Sequence, residues 1–528
     1  MDSSLTTVEQ LLSQVEAKLG AASTLELLKN LGAHPTQLDS GAPPDIGAVN
    51  PESRIIVVGA GVAGLVLTYE LAQRGANVEL WEATARVGGR NRSIRHGECL
   101  EEIGHPSQIC NLPHEGYLNA GPGRISHHHR AVLHYCRKFA LSLKPYQTLN
   151  RAALLHRYFP DVQQDLVVRN RQVQFDGQGR IGELAAKVGP WLATDGPVTP
   201  ELADAMRDWL HDNFEVTEQE DGEWRYRSSG RAGYQQQRGG AKDQGVPEKP
   251  LSLEQLLGLR LWYDDPRRSP DVIDEQLSMF ELEGGNDALV RALADQIRPR
   301  VKLNRELKRM RVNSDGTVGL VADDKEYGQI KAEADRVILA MQPQVMAEMD
   351  LELPQTIKDG LKDLPARYAV KVAAWMKRRF WEDDLAIYGG ITFTNMPNQQ
   401  IWYPNSGFHD QRGGLLVLAY AALNYGKTLG ELPPQERCQA TVALAKRIHP
   451  QITEEIDEDS LITIAWQNIA HIRSPWVAWT PDRYQRWFKT MTQPMNSVAF
   501  AGDWCSHLPA WQEGAIRSAY SLLAWATT

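Results

Sequence analysis

Three glycines and one acidic residue stand at spacings that suit the binding of a dinucleotide. The apolar, β-branched run 55–58 is followed by Gly59, Gly61 and Gly64. In such a pattern the first glycine permits a tight turn, the second lets the backbone approach a pyrophosphate, and the third lets the next helix pack on the strand. Glu82 follows about 20 residues later, where a carboxylate accepts hydrogen bonds from both ribose hydroxyls and repels a 2′-phosphate. The pattern predicts a site for FAD or NAD rather than NADP; an ordinary strand-to-helix turn is the alternative.

A second glycine turn, with two arginines, comes shortly after Glu82 and reads Arg86-Val87-Gly88-Gly89-Arg90. This segment resembles the FAD-binding front of the flavin amine oxidase family, and NAD dehydrogenases do not ordinarily show it. The resemblance implies that FAD is the cofactor and that Arg90 contacts it. Cys505 lies in a different segment from the attachment cysteines of monoamine oxidases, which favours non-covalent FAD.

The resemblance covers nearly the whole chain after residue 50 and also includes the C-terminal pattern from residue 500 to 515. It implies that Asp503 binds the ribityl-pyrophosphate region and that the helix after Trp511 directs its positive end at the flavin. The full set of implied cofactor-binding residues is Gly59, Gly61, Ala63, Gly64, Glu82, Ala83, Gly89, Arg90, Gly121, Gly123, Arg124, Leu307, Asp503, Trp511, Gln512 and Ala515.

Arg124 follows a Gly-Pro-Gly turn and precedes a predicted helix. A guanidinium in this setting binds a carboxylate bidentately or pairs with a nearby acid, and chemistry alone favours neither. The stretch 119–139 resembles L-amino-acid oxidases within the family, which implies that Arg124 holds the substrate carboxylate. The same resemblance implies that Tyr420 also binds this carboxylate, and that Trp511 and Ala510 line the substrate site.

Lys371 lies within an alternating apolar segment, where a lysine is unfavourable unless it reaches solvent or a partner. An edge-strand lysine that extends to solvent is the alternative. The segment resembles the family's stretch whose lysine holds a water on flavin N5, which implies that Lys371 is catalytic. A buried cation there would favour electron transfer to oxygen, because anions form beside it.

Three consecutive histidines, His127, His128 and His129, invite a metal hypothesis. A helix is predicted from about residue 127 to 139, and successive side chains on a helix point about 100° apart. We therefore expect that these histidines do not converge on one ion, and we predict no metal site.

Composition limits the class of protein. The chain has 528 residues and a net charge of −9, which argues against nucleic acid as a partner. Five scattered cysteines favour a reducing compartment, and the sequence shows neither a secretory signal nor an apolar run of about 18 residues. We therefore expect a cytoplasmic protein without a membrane segment. The family makes a homodimer or higher homo-oligomer the expected assembly.

Buried strands and amphipathic helices alternate in the order of an α/β fold. We predict a Rossmann-like FAD-binding domain assembled from discontinuous segments, with an α+β substrate-binding domain, a helical insertion and an N-terminal helical extension. Their predicted bounds are, for the FAD-binding domain, 51–125, 281–345 and 490–528; for the substrate-binding domain, 126–150 and 346–489; for the insertion, 151–280; and for the extension and linker, 1–50.

The resemblance implies oxidative deamination of L-amino acids to 2-oxo acids with release of ammonia and hydrogen peroxide. Its partners would be the amino acid and O2. Two enzymatic alternatives remain open, an amino-acid 2-monooxygenase and a polyamine or monoamine oxidase. The stretch 465–479 departs from the family pattern, so the sequence leaves the preferred side chain of the substrate undefined.

Overall fold

The structure, a computed structural model, describes residues 39–527 except 48, 196–199, 241, 260–272 and 277. The predicted N-terminal helices, between residues 4 and 31, lie outside the described residues. Everything described below belongs to the unit formed by residues 43–528.

A five-stranded sheet, here called the parallel sheet, carries the glycine turn. All of its neighbouring strands are parallel. In spatial order the strands are Val301–Lys302, Asn77–Trp81, Arg54–Val58, Arg336–Leu339 and Val498–Phe500. Residues 55–58 are buried, because helices cover both faces of such a sheet. Three separate parts of the chain thus meet in one sheet, as expected for the discontinuous α/β fold.

The glycine turn adopts the conformation that its sequence predicts. Gly59 has φ +105°, and a Cβ there would lie 2.6 Å from the carbonyl oxygen of Ala340. A Cβ on Gly64 would overlap the carbonyl oxygen of Gly59, so the helix Val62–Gln73 packs directly against the turn. Gly75 follows this helix with φ +83°, a left-handed conformation that ends helices.

A seven-stranded sheet, here called the large sheet, faces the carboxyl end of the parallel sheet. Its strands in spatial order are Gln164–Arg169, Leu154–Phe159, Ile391–Thr394, Gln400–Trp402, Gly414–Ala422, Ala369–Met376 and Ile456–Ala465. Lys371 and Tyr420 are direct partners on neighbouring antiparallel strands of this sheet. The sheet therefore fixes two of the predicted site residues side by side.

Smaller sheets and helices complete the unit. A four-stranded sheet contains Gly328–Ala334, Val318–Asp324, Arg305–Val312 and Asp350–Leu351, and a three-stranded sheet contains Ile125–Ser126, Met279–Leu282 and Leu143–Tyr146. The helices of seven or more residues are Val62–Gln73, Arg130–Lys138, Asn170–Asp195, Pro200–Phe214, Leu253–Leu259, Ala288–Gln296, Gln355–Asp363, Leu423–Glu431, Pro434–Ile448 and Gln512–Thr527. None of the helices in the described ranges combines the length and the apolarity that a bilayer crossing requires.

The segment predicted as a helical insertion is mixed in structure. It contains the helices Asn170–Asp195 and Pro200–Phe214, but Leu154–Phe159 and Gln164–Arg169 form a hairpin that extends the large sheet. This hairpin pairs with Ile391–Thr394, more than 200 residues further along the chain, and no local pattern signals such a partner. The polar stretch 218–250 contains short strands, of which Tyr234–Gln236 and Val246–Pro247 are largely exposed and Trp224–Tyr226 is not. The domain bounds themselves stay a prediction.

A fully buried ion pair ties the helix Pro434–Ile448 to the loop after the cofactor segment. Both Arg437 and Glu102 have side chains with 0% exposure, and their bidentate contacts measure 2.8 and 2.9 Å. Glu102 also accepts hydrogen bonds from the backbone N–H of Ala465 and from Asn468. Because each charge is buried, removal of either partner would leave the other uncompensated.

Candidate active site

One cavity of about 960 Å³ extends from the glycine turn to the large sheet. Every residue predicted to bind cofactor or substrate lines it, except Gly64, which packs beneath the turn. At one end lie Gly59, Gly61 and Glu82, and at the other lie Arg124 and Lys371. Pockets for small ligands usually measure about 300–1,000 Å³, so this cavity is large enough for an extended cofactor and a small substrate.

Glu82 stands at the carboxyl end of its strand with capacity for further hydrogen bonds. Its Oε2 accepts the backbone N–H of Ala60 at 2.9 Å, and its Oε1 accepts the N–H and hydroxyl of Thr84 at 2.9 and 2.7 Å. A carboxylate offers about four acceptor positions, so Oε2 has one left for a ribose hydroxyl. The position and the remaining acceptor fit a hydrogen bond from one ribose hydroxyl.

The second glycine turn lies against the first. The N–H of Gly88 donates to the carbonyl of Ala60 at 2.7 Å, and Gly61 and Gly88 form an isolated bridge. Arg86 crosses this turn and donates to the carbonyl of Gly89 at 2.9 Å. Burial, the larger effect, and repulsion from Arg92 lower the pKa of Arg86 to about 10, so it stays charged at neutral pH beside the place where the pattern predicts a pyrophosphate.

Arg90 is held between two other parts of the chain. Its guanidinium pairs with Asp503 and donates to the carbonyl of Pro475 at 2.6 Å. Asp503 also accepts the N–H of Ala510 at 2.8 Å. These contacts join the second glycine turn to the C-terminal segment, which brings both predicted cofactor contacts to one side of the cavity.

Unpaired buried polar atoms show that this part of the cavity suits a polar cofactor. Both side-chain polar atoms of Asn91 and the Nε2 atom of Gln512 are buried without a hydrogen-bond partner among the described residues. Gln512 begins the C-terminal helix Gln512–Thr527, whose first turn carries free backbone N–H groups and a partial positive charge. Buried polar groups normally have partners, so these residues fit the polar edges of a flavin dinucleotide.

Lys371 is buried at the substrate end, with 3% of its surface exposed. Its Nζ donates to the carbonyls of Asn119 and Gly121 at 2.7 and 2.8 Å and lies 4.6 Å from the ring centre of Trp402. Burial, and to a lesser degree repulsion from Arg124, lowers its pKa from 10.5 to about 7. Lys371 is therefore a titratable cation at neutral pH, and the alternative of a solvent-exposed lysine is wrong.

Arg124 is a largely buried guanidinium, with 16% of its side chain exposed, and aromatic rings flank it. Its Cζ lies 5.9 Å from the ring centre of Trp402 and 5.7 Å from that of Trp511. Its Nη2 donates to Oε1 of Glu275 at 2.7 Å, while Nε is buried without a partner in the described part of the chain. Burial is the largest single effect and would lower the pKa of Arg124, but Glu275, Tyr146 and Tyr420 together outweigh it and the net pKa is raised. The group is permanently charged and has an unused donor.

Trp402 and Glu275 also line the substrate end of the cavity, although the sequence did not predict them as site residues. Trp402 packs at 71° against Tyr420 with 5.0 Å between ring centres, and a Cβ on Gly123 would lie 2.6 Å from the Trp402 ring. That close contact explains a glycine at 123. Glu275 comes from a short turn far from Arg124 in sequence. Neither has a local sequence signal, since each reaches the site only through long-range folding.

The stretch that departs from the family pattern forms a wall of the cavity. Its lining residues are Trp466, Ile469, Ala470, His471, Ile472, Pro475 and Trp476. The indole N–H of Trp466 donates to the carbonyl of Ala120 at 2.9 Å, which ties the wall to the loop that carries Arg124.

The three histidines do not lie on a helix, so the prediction that helix geometry keeps them apart is wrong. The helix begins at Arg130, so the histidines precede it, because Ile125–Ser126 pairs as a strand with Met279–Leu282. His128 and His129 both direct Nε2 at Oδ1 of Asp274, at 3.0 and 3.3 Å. The Nδ1 of His129 accepts the backbone N–H of Ser126, so its Nε2 carries the proton and donates to Asp274. This hydrogen-bonded arrangement lowers the pKa of Asp274, and the absence of a metal stays a prediction.

Fold and cavity together define a dinucleotide-dependent oxidoreductase, and comparison with known proteins gives its family. Residues 62–521 match the sequence model of the family "Flavin containing amine oxidoreductase". The chain belongs to this family, and its cofactor is FAD.

The chain is 25% identical over 484 residues to an L-amino-acid oxidase of Demansia vestigiata, covering 89% of this chain and 85% of the relative. Among solved structures, cyclohexylamine oxidase from Brevibacterium oxydans IH-35A has a TM-score of 0.57 at 16% identity, over 90% of this chain and 99% of that one. A putrescine oxidase with bound putrescine has a TM-score of 0.56 at 18% identity, over 89% and 98%. These two structures share the fold.

Proposed function

We propose that this protein is an FAD-dependent L-amino-acid oxidase. It would convert an L-amino acid, water and O2 into a 2-oxo acid, ammonia and hydrogen peroxide. The observation that carries the proposal is Arg124, a largely buried, permanently charged guanidinium with a buried and unused Nε donor at the substrate end of the cavity. The similarity to L-amino-acid oxidases over most of the chain supports it.

Arg124 would bind the α-carboxylate through its planar edge, because guanidinium and carboxylate match in a bidentate geometry. Tyr420 lines the same cavity, and its hydroxyl would share the carboxylate. Trp402 and Trp511 flank the guanidinium and exclude water, which strengthens this contact.

The two glycine turns and the start of the C-terminal helix would hold FAD, which would supply the two-electron acceptor for the Cα–H bond and the route of these electrons to O2. No side chain need act as a base if the substrate amine is already neutral, so the protein contributes chiefly position and charge. Lys371 supplies a cation beside the site of oxygen reduction. The imine that results is hydrolysed by water to the 2-oxo acid and ammonia.

A specific observation favours an amine oxidase as the second candidate. Glu275 already neutralises Arg124 in this structure, so the substrate end has less positive charge than the arginine alone would give. The fold is also shared with putrescine and cyclohexylamine oxidases, whose substrates have no carboxylate. The two candidates differ in what Arg124 does.

Arg124→Met separates them. The carboxylate contact involves a charge-assisted pair, so we expect kcat/KM for L-amino acids to fall by about 100-fold or more, measured as peroxide release. The decarboxylated amines serve as the parallel substrates, and the visible flavin spectrum confirms cofactor content. Equal activity of wild type and variant on amines, with no activity on amino acids in either, would establish the second candidate. Product analysis that finds an amide instead of a 2-oxo acid would indicate a 2-monooxygenase.

A further inference from the structure

A second charged group stands at the substrate end of the cavity beside Arg124. Glu275 lines the cavity, its side chain is 22% exposed, and its Oε1 contacts Arg124 at 2.7 Å. The other acids that line the cavity are Glu82, Glu101, Glu306 and Asp503, and of these Glu82 and Asp503 lie at the predicted cofactor contacts. Among the cavity-lining acids, Glu275 is the one that pairs with Arg124.

The position of Glu275 is fixed by its neighbour in sequence. Asp274 receives hydrogen bonds from His128 at 3.0 Å and from buried His129 at 3.3 Å. His129 in turn packs against Trp511 with 4.8 Å between ring centres. The short helical turn Ile273–Glu275 is therefore anchored to the aromatic wall of the substrate site, and Glu275 is held in place rather than merely nearby.

Substrate binding changes the balance of charge around Arg124. One guanidinium would then face two carboxylates, that of Glu275 and that of the substrate. Lys371 directs its Nζ at the carbonyls of Asn119 and Gly121 rather than at Glu275. A partly buried carboxylate without a cationic partner is unfavourable unless another cation pairs with it. A substrate with a cationic side chain would supply that missing charge.

We propose that Glu275 is the specificity residue for the substrate side chain and that the preferred substrates are L-amino acids with a cationic side chain. This inference rests on the proposed oxidation of amino acids. The α-carboxylate takes the unused donor of Arg124, and the side-chain cation pairs with Glu275. Acidic amino acids are rejected, because a third carboxylate would face the same cluster.

Two pairs of substrates test the charge with little change of shape: L-arginine against L-citrulline, and L-lysine against L-norleucine. We expect the wild type to favour the cationic member of each pair in kcat/KM. Glu275→Gln should lower kcat/KM for the cationic members by about 10- to 100-fold. It should leave the neutral members unchanged or improve them, because Arg124 loses its internal partner. Glu275→Asp, which keeps the charge, should retain the preference.

Binding gives a readout that is independent of turnover. Titration calorimetry would use 5-guanidinopentanoate, which is arginine without its amino group, and 5-ureidopentanoate as its neutral counterpart. We expect the preference for the guanidino compound to disappear in Glu275→Gln. Glu348→Gln is the matched control, since Glu348 is 66% exposed outside the cavity and loses the same charge; it should behave as wild type.

The outcomes distinguish the proposed side-chain preference from the proposed oxidation of amino acids. If neutral and cationic amino acids are oxidised equally well and Glu275→Gln changes neither ratio, the inference about side-chain charge is wrong while amino-acid oxidation stands. If only amines are oxidised, the proposed function itself fails. If Glu275→Gln removes the preference in catalysis and in binding, both are supported.

Discussion

Replacing Lys371 with methionine keeps most of the side-chain length and removes the charge at the buried end of the cavity. In the wild type the pKa of Lys371 is lowered from 10.5 to about 7, which corresponds to about 5 kcal/mol against the charged form at 1.36 kcal/mol per pH unit. About half of the molecules therefore carry this charge at pH 7, and about 1% carry it at pH 9. A negative charge generated nearby would raise this pKa.

If the ammonium assists oxygen reduction, the rate at which O2 reoxidises the photoreduced enzyme should depend on its protonation. We expect the wild-type rate to fall as pH rises through a midpoint at or above 7. Lys371→Met should be slower by about 100-fold at pH 6, with no such midpoint, because it lacks the preorganised positive donor. Stopped-flow mixing with oxygenated buffer from pH 6 to 10 measures both rates. Parallel pH profiles of equal rate would refute the catalytic role.

A second readout on the same variant checks the pKa without turnover. The unfolded lysine, with a pKa near 10.5, holds a proton between pH 7 and 10.5 that the folded lysine has lost. The free energy of unfolding of the wild type should therefore rise with pH across this window, relative to Lys371→Met, by about 2 kcal/mol from pH 7 to 9. Denaturant unfolding of the apoprotein measures this difference, and a pH-independent difference would show that the lysine is not buried as described.

The other variants test the fold around the site. Glu102→Gln leaves the fully buried Arg437 without its charged partner, and we expect it to lower the free energy of unfolding by about 3–5 kcal/mol in denaturant titrations; Glu348→Gln, at an exposed pair, should cost less than about 1 kcal/mol. Gly64→Ala places a Cβ against the carbonyl oxygen of Gly59. The purified variant should therefore retain much less FAD, measured from its visible spectrum. Full retention would mean that the turn adapts more easily than its contacts indicate.

Local patterns predicted the cofactor half of the molecule well. The apolar run 55–58 lies in the strand Arg54–Val58, and the glycine turn lies between this strand and the helix Val62–Gln73, as predicted. Local sequence patterns define these elements, because apolar periodicity, turn glycines and helix-ending residues all act within a few residues. The family membership that the resemblance indicated is confirmed.

The sequence predicted the substrate half of the molecule less well. The helix predicted from about residue 127 begins at Arg130, because the preceding residues are drawn into a strand by a partner about 150 residues away. Glu275 and Trp402 come from a turn and a strand that are distant from Arg124 in sequence, so no sequence spacing predicts them. The proposed preference for a substrate side chain rests on Glu275, and it could not be predicted before the fold was known.

The pairing of Lys371 with Tyr420 across two hydrogen-bonded strands has a consequence for how this enzyme can diversify. The register of this ladder is hard to change gradually, because a slip of one strand by one residue would turn its side chain to the opposite face, away from that of its partner. New selectivity would therefore arise in the turn that bears Glu275 and in the wall from Ile469 to Trp476, where chain length and sequence can drift without disturbing the ladder. The sheet would keep the residues that carry the chemistry, while the surrounding turn and wall would change the preferred substrate.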